Sequence, residues 1–168
     1  MNYETIDITQ LNDNFFSKIG KSWMLISASK DGMCNTMTAS WGGIGVLWNK
    51  NVFFCFIRPQ RYTKEFCDAS DIITLSFFDE SYRDALKFCG ANSGRSTDKF
   101  EKTGLTPIIG NTGEVDFVQS SLTLVGKKLY AQEMCNDCFI DKSLDTQNYK
   151  NFDYHTMYVC EIIEVRKK

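Results

Sequence analysis

Short apolar runs bounded by turn residues recur along the chain and predict strands more often than helices. The run Val52-Phe53-Phe54-Cys55-Phe56-Ile57 has the length and composition of a buried strand. Residues 22–29 predict another, followed by Asp31-Gly32, the pairing expected of a tight hairpin turn. The partner strand spans residues 34–41. Along it Asn35, Met37, Ala39 and Trp41 share one face, and Thr36, Thr38 and Ser40 share the other. The hydroxyl row reads either as donors for a polar, flat-sided ligand or as the solvated face of an edge strand. Gly42-Gly43-Ile44-Gly45 breaks this strand, and Asn49-Lys50-Asn51 turns the chain into the Val52 run. Residues 72–78, 115–126, 128–133 and 156–163 predict further strands. Residues 7–16 predict an entry strand with a short helix, and residues 106–113 a loop. Short helices are expected at residues 64–69, at residues 81–89 and before Gly104. The second would open on a capping-box-like Ser81-Tyr82-Arg83-Asp84 and stop at Gly90. This pattern predicts a mainly β fold with short inserted α-helices. Its hairpin turns favour an antiparallel, closed or partly closed barrel over a doubly wound parallel sheet.

The 168 residues suit a single domain, residues 1–168, with a real core. A formal net charge of -2, with acidic and basic residues interspersed, carries no nucleic-acid footprint. No apolar run approaches the length that spans a membrane, and Met1-Asn2-Tyr3-Glu4-Thr5 has no secretory character. A cytoplasmic protein is expected. Its seven cysteines then read as reduced thiols, mostly small core hydrophobes. Cys135-Asn136-Asp137-Cys138 is a C-x-x-C, but it lies between strand-like runs rather than at a helix start. With one histidine and no second C-x-x-C in the chain, no metal site is expected, and the pair reads as ordinary thiols near a turn.

The candidate chemistry lies elsewhere. Arg58-Pro59-Gln60-Arg61-Tyr62-Thr63 joins the Val52 strand to a helix. Two arginines sit there at a strand end, Pro59 favours an extended Arg58, and Thr63 is placed to cap the helix. The simplest ligand for such a corner is a phosphate held by arginine forks and a helix N-terminus. The rival reading has the arginines capping strand carbonyls or pairing with surface carboxylates. A second corner, the small-residue loop of residues 90–100, gathers Ser93, Gly94, Arg95 and Lys99. The two corners either close on one phosphate or are independent surface loops.

Three stretches, Asn35-Thr36-Met37-Thr38-Ala39-Ser40-Trp41-Gly42, Arg58 to Thr63 and Cys89 to Phe100, together with Asp153-Tyr154-His155, resemble the flavin reductase-like family, which includes flavoredoxins. The resemblance implies an FMN-binding split β-barrel, usually a homodimer. It places Thr38 to Trp41 along the isoalloxazine. Arg58, Arg61 and Thr63, with Ser93, Arg95 and Lys99, would serve the ribityl chain and phosphate. The implied activity is that of an NADPH- or NADH-dependent flavin reductase passing electrons to free flavin or a small redox partner. The alternative is a flavoredoxin-like FMN electron carrier without NAD(P)H activity of its own. Many relatives carry Gly-Asp-His near the C-terminus; here the equivalent reads Asp153-Tyr154-His155, a departure that bears on nicotinamide use. His155 is the catalytic candidate, set against the commoner role of a satisfied structural histidine.

Overall fold

The computed structural model describes residues 3–168. The strands are β1 (Glu4–Ile6), β2 (Met24–Lys30), β3 (Met33–Ala39), β4 (Gly42–Leu47), β5 (Lys50–Ile57), β6 (Ile72–Phe77), β7 (Pro107–Ile109), β8 (Val115–Phe117), β9 (Leu122–Glu133) and β10 (Thr156–Lys167). The α-helices are α1 (Phe15–Ser17), α2 (Tyr62–Ala69), α3 (Arg83–Ala91), α4 (Lys99–Thr103) and α5 (Lys142–Asn148). Every strand pairing is antiparallel. The main sheet runs β3-β2-β6-β9-β10-β5-β4, with β1 added to the far end of β10; β7 and β8 form a separate ribbon.

One apolar cluster takes Met24 and Ile26 from β2, Phe53 and Ile57 from β5, Leu75 from β6, Leu124 from β9 and Tyr158 from β10. Strands from both ends of the sheet therefore share one interior, so the sheet curls around it. Helix α2 closes one end with Phe66 and Cys67. A second cluster packs Leu86 and Cys89 of α3 and Phe117 of β8 against Leu25 on the outside of β2. Among the described residues no pairing joins β3 to β4, the two ends of the sheet. They are consecutive in the chain, linked by Ser40-Trp41. That unpaired seam is the split in the barrel.

Several sequence expectations change in detail. The Asp31-Gly32 turn forms as expected, with both residues at positive φ. The glycine-rich run does not end the sheet: Gly42–Leu47 pairs with β5 as an edge strand, and the turn falls at Trp48-Asn49, both at positive φ. Gly90 does not stop its helix, which runs to Ala91; a Cβ at Gly90 would lie 3.3 Å from Thr38 Cβ, so the glycine allows α3 to approach β3. Ser81 makes no cap; it lies in a 3-10 turn, Glu80–Tyr82, that leads into α3. The expected loop at residues 106–113 contains β7, and residues 118–121 interrupt the strand expected over 115–126. The entry segment, residues 7–16, forms no strand: it holds a 3-10 turn, Ile8–Gln10, and the start of α1, while the short strand β1 precedes it.

Gly126, on β9, is where the curled sheet leaves least room. A Cβ there would lie 2.3 Å from the Phe53 ring and 2.8 Å from Cys160 Cβ. Filling it overpacks the barrel interior, typically at a cost of 1–3 kcal/mol, or about that here. Gly126→Val is expected to lower the urea midpoint accordingly, measured by tryptophan fluorescence, whereas a substitution at the open Gly20 is not.

Candidate functional site

The seam opens a cavity of about 200 Å³. Its floor is the β3 end from Met37 through Ser40 and Trp41; its walls are Phe56, Arg58, Arg61 and His155. Thr36 and Thr38 lie on the edge strand, and the Thr36 carbonyl turns outward, away from β2, to accept from Lys99 Nζ at 2.7 Å. Antiparallel backbone groups alternate in direction, so the Thr38 backbone two residues on also faces the seam. The hydroxyl row itself is not free. Thr36 Oγ1 lies 2.8 Å from Ser27 Oγ and 3.2 Å from the Ile26 carbonyl, and Thr38 Oγ1 donates to the Leu86 carbonyl of α3. Only Ser40 presents its hydroxyl side to solvent. The strand offers the seam backbone groups rather than a row of hydroxyls.

At the β5–α2 corner, both readings of the arginines hold in part. Arg58 pairs with Asp153 at 2.5 Å, donates to the Asn148 carbonyl at 2.9 Å and lies over the Tyr149 ring. Gln60 donates to the same Asp153 oxygen at 2.8 Å. Arg61 precedes α2 and donates to the Gly90 carbonyl at 2.6 Å. Lys99, at 4% exposure, donates to the Thr36 carbonyl and, at 3.1 Å, to the Cys89 carbonyl. Two cations therefore meet the last carbonyls of α3, where a helix dipole favours positive charge. Among the described residues neither Arg61 nor Lys99 has a carboxylate within salt-bridge distance. Burial lowers the pKa of both; Arg58 acts in the same direction on Arg61, and Arg61 on Lys99. This is a region of excess positive potential.

Thr63 does not cap α2. It is the second residue of α2, buried, and accepts from Asn35 Nδ2 at 2.9 Å, tying the helix to β3. The second corner lies in a neighbouring cavity of about 550 Å³ that Asn35, Tyr62, Gly94, Arg95 and Lys99 help to line. There Arg95 pairs with Glu65 and stacks over Tyr62, 4.8 Å from the ring. Gly94 lets the loop press on β3, since a Cβ would lie 2.3 Å from Asn35 Oδ1. Ser93 Oγ accepts from the Arg95 N–H at 3.2 Å. Pro59, Gln60, Thr63 and Ser93 line neither cavity. The two corners thus stay separate as cavities, joined through Arg61 and Lys99 on adjacent carbonyls.

His155 is buried, its Nδ1 2.8 Å from the Tyr149 hydroxyl and its ring 5.3 Å from that of Trp41. Burial, reinforced by Arg58 and Arg61 and opposed by Asp153, pushes its pKa down to about 4. Reading the sequence did not identify Phe56 as a wall, Tyr149 as the partner of His155, or the Cys89 and Gly90 carbonyls. Strand alternation placed Phe56 away from the core-facing Phe53, Cys55 and Ile57; nothing in the sequence marked the other three.

No family model matches the chain, and no curated protein matches it. Solved structures do. A flavoredoxin from Methanosarcina acetivorans is similar over 88% of this chain and 68% of its own, at TM-score 0.69 and 18% identity. An FMN-binding domain of a flavin reductase-like enzyme from Shewanella baltica is similar over 99% and 77%, at TM-score 0.70 and 14% identity. An NADH:FAD oxidoreductase from Streptomyces globisporus is similar over 88% and 75%, at TM-score 0.65 and 12% identity. The chain has the fold of the flavin reductase-like split barrels. The fold expectation, mainly β with short inserted helices, is borne out.

The depressed pKa of His155 has a measurable consequence. Between the ordinary value of 6.5 and about 4, the unfolded chain binds a proton at this site that the folded chain excludes. Stability from His155 is thus complete above pH 6.5 and is lost as pH falls toward 4. Urea unfolding across this window is expected to show a steeper fall in stability for the native chain than for His155→Gln; parallel profiles would contradict the assignment.

Proposed function

We propose that this chain binds FMN at the seam and acts as an NAD(P)H-dependent flavin oxidoreductase. The observation that carries the reading is the pair Arg61 and Lys99: among the described residues neither has a carboxylate partner, and Arg61 lines the seam cavity while the buried Lys99 lines the neighbouring one. A dianionic phosphate balances such a pair, and a flat, polar-edged ring suits the exposed backbone of β3. The likeness to FMN-binding split barrels agrees with this.

In this reading Arg61 and Lys99 hold the phosphate, with Ser93, Gly94 and Arg95 on the neighbouring loop and the Asn35–Thr63 bond tying β3 to α2. Met37, Thr38, Ala39, Ser40 and Trp41 border the ring. Arg58, Pro59, Gln60 and Tyr62 shape the corner. The flavin, when bound, supplies hydride acceptance and onward electron transfer; the chain supplies orientation and charge. Backbone donors at the seam favour the negative charge that builds on a reduced flavin. His155 is neutral at pH 7, so it acts as a wall beside Trp41 and not as an imidazolium acid. The exposed Val46, Trp48, Tyr130 and Ile163 suit the homodimer implied by the resemblance, and free buried thiols suit a cytoplasmic setting.

A second reading is a flavoredoxin-like electron carrier. It is favoured by the Arg58–Asp153 pair, which removes one cation from those that would meet the phosphates of a dinucleotide.

The test is the visible spectrum of the FMN-loaded protein, followed without oxygen on addition of NADPH or NADH. Bleaching supports the reductase and names the donor; a bound flavin that stays oxidised supports the carrier. Arg61→Ala is expected to weaken FMN binding about tenfold or more, the loss of one charged hydrogen bond, without changing the far-UV circular dichroism. Unchanged FMN affinity would overturn the phosphate assignment.

A further inference from the structure

Most of the cysteines are withdrawn from solvent. Cys55, Cys67, Cys89 and Cys160 are buried and Cys34 is half-buried. Burial pushes the Cys34 and Cys89 thiols up to about 11 and that of Cys160 up to about 12. Such thiols stay protonated and unreactive at neutral pH. Cys135 and Cys138 are exposed.

They sit together on the crossing from β9 to β10, in a segment that the flavin reading does not use. Cys135 precedes a single 3-10 turn, Asn136–Cys138, and the Cys138 N–H donates to the Cys135 carbonyl at 3.0 Å. A bond of that span holds the first and fourth Cα atoms within about 7 Å. Disulfides span about 4.4–6.8 Å between Cα atoms, so the turn presents the pair at bonding range. The turn is itself anchored. Lys142 Nζ donates to the Asn136 carbonyl at 3.1 Å, and the Met134 N–H donates to the His155 carbonyl at 2.9 Å.

A cavity of about 290 Å³ opens beside the two thiols, and Met134, Phe139 and Met157 give it an apolar wall. Glu133 lines it as well, and the segment of residues 133–150 that carries the thiols adds Asp137, Asp141 and Asp145 against Lys142 and Lys150, a net negative balance. This surrounding disfavours an anionic ligand, and the wall favours an apolar one.

We infer that Cys135 and Cys138 form a thiol–disulfide exchange site for an apolar small-molecule disulfide that carries no negative charge. One cysteine, as its thiolate, attacks a sulfur of the substrate disulfide. A protein–substrate S–S bond forms, the substrate S–S bond breaks, and the departing sulfur takes up a proton. The second cysteine then attacks the protein sulfur of that mixed disulfide, forms the Cys135–Cys138 bond and releases the second substrate thiol. The substrate disulfide gains two electrons and two protons; the protein dithiol loses the same. The substrate is the oxidant, so no other is needed.

Oxidised lipoamide, an uncharged disulfide, and glutathione disulfide, an anionic one, are the probes. The reduced protein is exposed to each under argon and followed by intact mass and by thiol counting after denaturation. With lipoamide the expected result is a loss of about 2 Da and of two thiols per chain, reversed by dithiothreitol. The rate with glutathione disulfide is expected to be lower by about tenfold or more, the effect of a like charge at close range. Cys135→Ser and Cys138→Ser should each stop the reaction before the internal disulfide forms. Met157→Asp, which keeps both thiols, should slow lipoamide without altering total thiol content. No loss of mass with either disulfide, each in large excess so that equilibrium favours oxidation of the protein, overturns the site. Loss of two thiols from the Cys135→Ser/Cys138→Ser double variant overturns it as well. Equal rates with the two disulfides overturn the ligand class. The site stands whether or not the chain binds FMN, since none of these readouts involves flavin.

Discussion

The last carbonyls of one nine-residue helix hold the seam together. Leu86, Cys89 and Gly90 of α3 accept from Thr38, Lys99 and Arg61, which come from β3, α4 and the β5–α2 corner. A helix C-terminus has unpaired carbonyls and a negative dipole end, and here two cations meet those of Cys89 and Gly90, while the Thr38 hydroxyl bonds the mid-helix carbonyl of Leu86. Three otherwise separate segments are thereby pinned beside the open edge of β3. The carbonyls absorb hydrogen bonds but carry no full charge. The cations that fix the geometry therefore leave positive potential behind, and the proposed phosphate role rests on that surplus.

The barrel explains why the site lies where it does. The curled sheet closes its interior with side chains from all its long strands, while β3 and β4, joined by two residues, fail to pair. An unpaired edge is a liability in most sheets. Here α3 covers part of it through Thr38 and Lys99, and the remainder faces a cavity. Asp153 adjusts the balance by neutralising Arg58, one of the three cations around the corner. The cysteine turn, on the β9–β10 crossing, meets the site through the His155 backbone and through the Tyr149 hydroxyl and ring, which touch Met134 and Phe139.

Much of the fold was legible in the sequence because strand runs and turn residues are local signals. The Val52 run, the Asp31-Gly32 hairpin and the final strand needed no tertiary information. The misses share a cause. Gly90 reads as a helix stop because glycine commonly is one, yet its purpose is to let α3 meet Thr38. Thr63 reads as a cap because it precedes an apolar helical pattern, yet Asn35 claims its hydroxyl. The hydroxyl row on β3 reads as ligand donors or as a solvated face, yet β2 and α3 consume Thr36 and Thr38 and leave only Ser40 exposed. In each case a partner distant in sequence won. The arginine corner and the loop at Ser93 to Lys99 were visible as cation-rich segments, but their meeting through adjacent carbonyls was not.

The most direct measurement compares FMN with riboflavin, which differ only in the phosphate, by titrating each into the protein and following the quenching of flavin fluorescence. If Arg61 and Lys99 form an anion site beside a ring-binding edge, FMN should bind about tenfold or more tightly than riboflavin, and added salt should narrow the gap. Equal affinity for the two, or no binding of either, would contradict it.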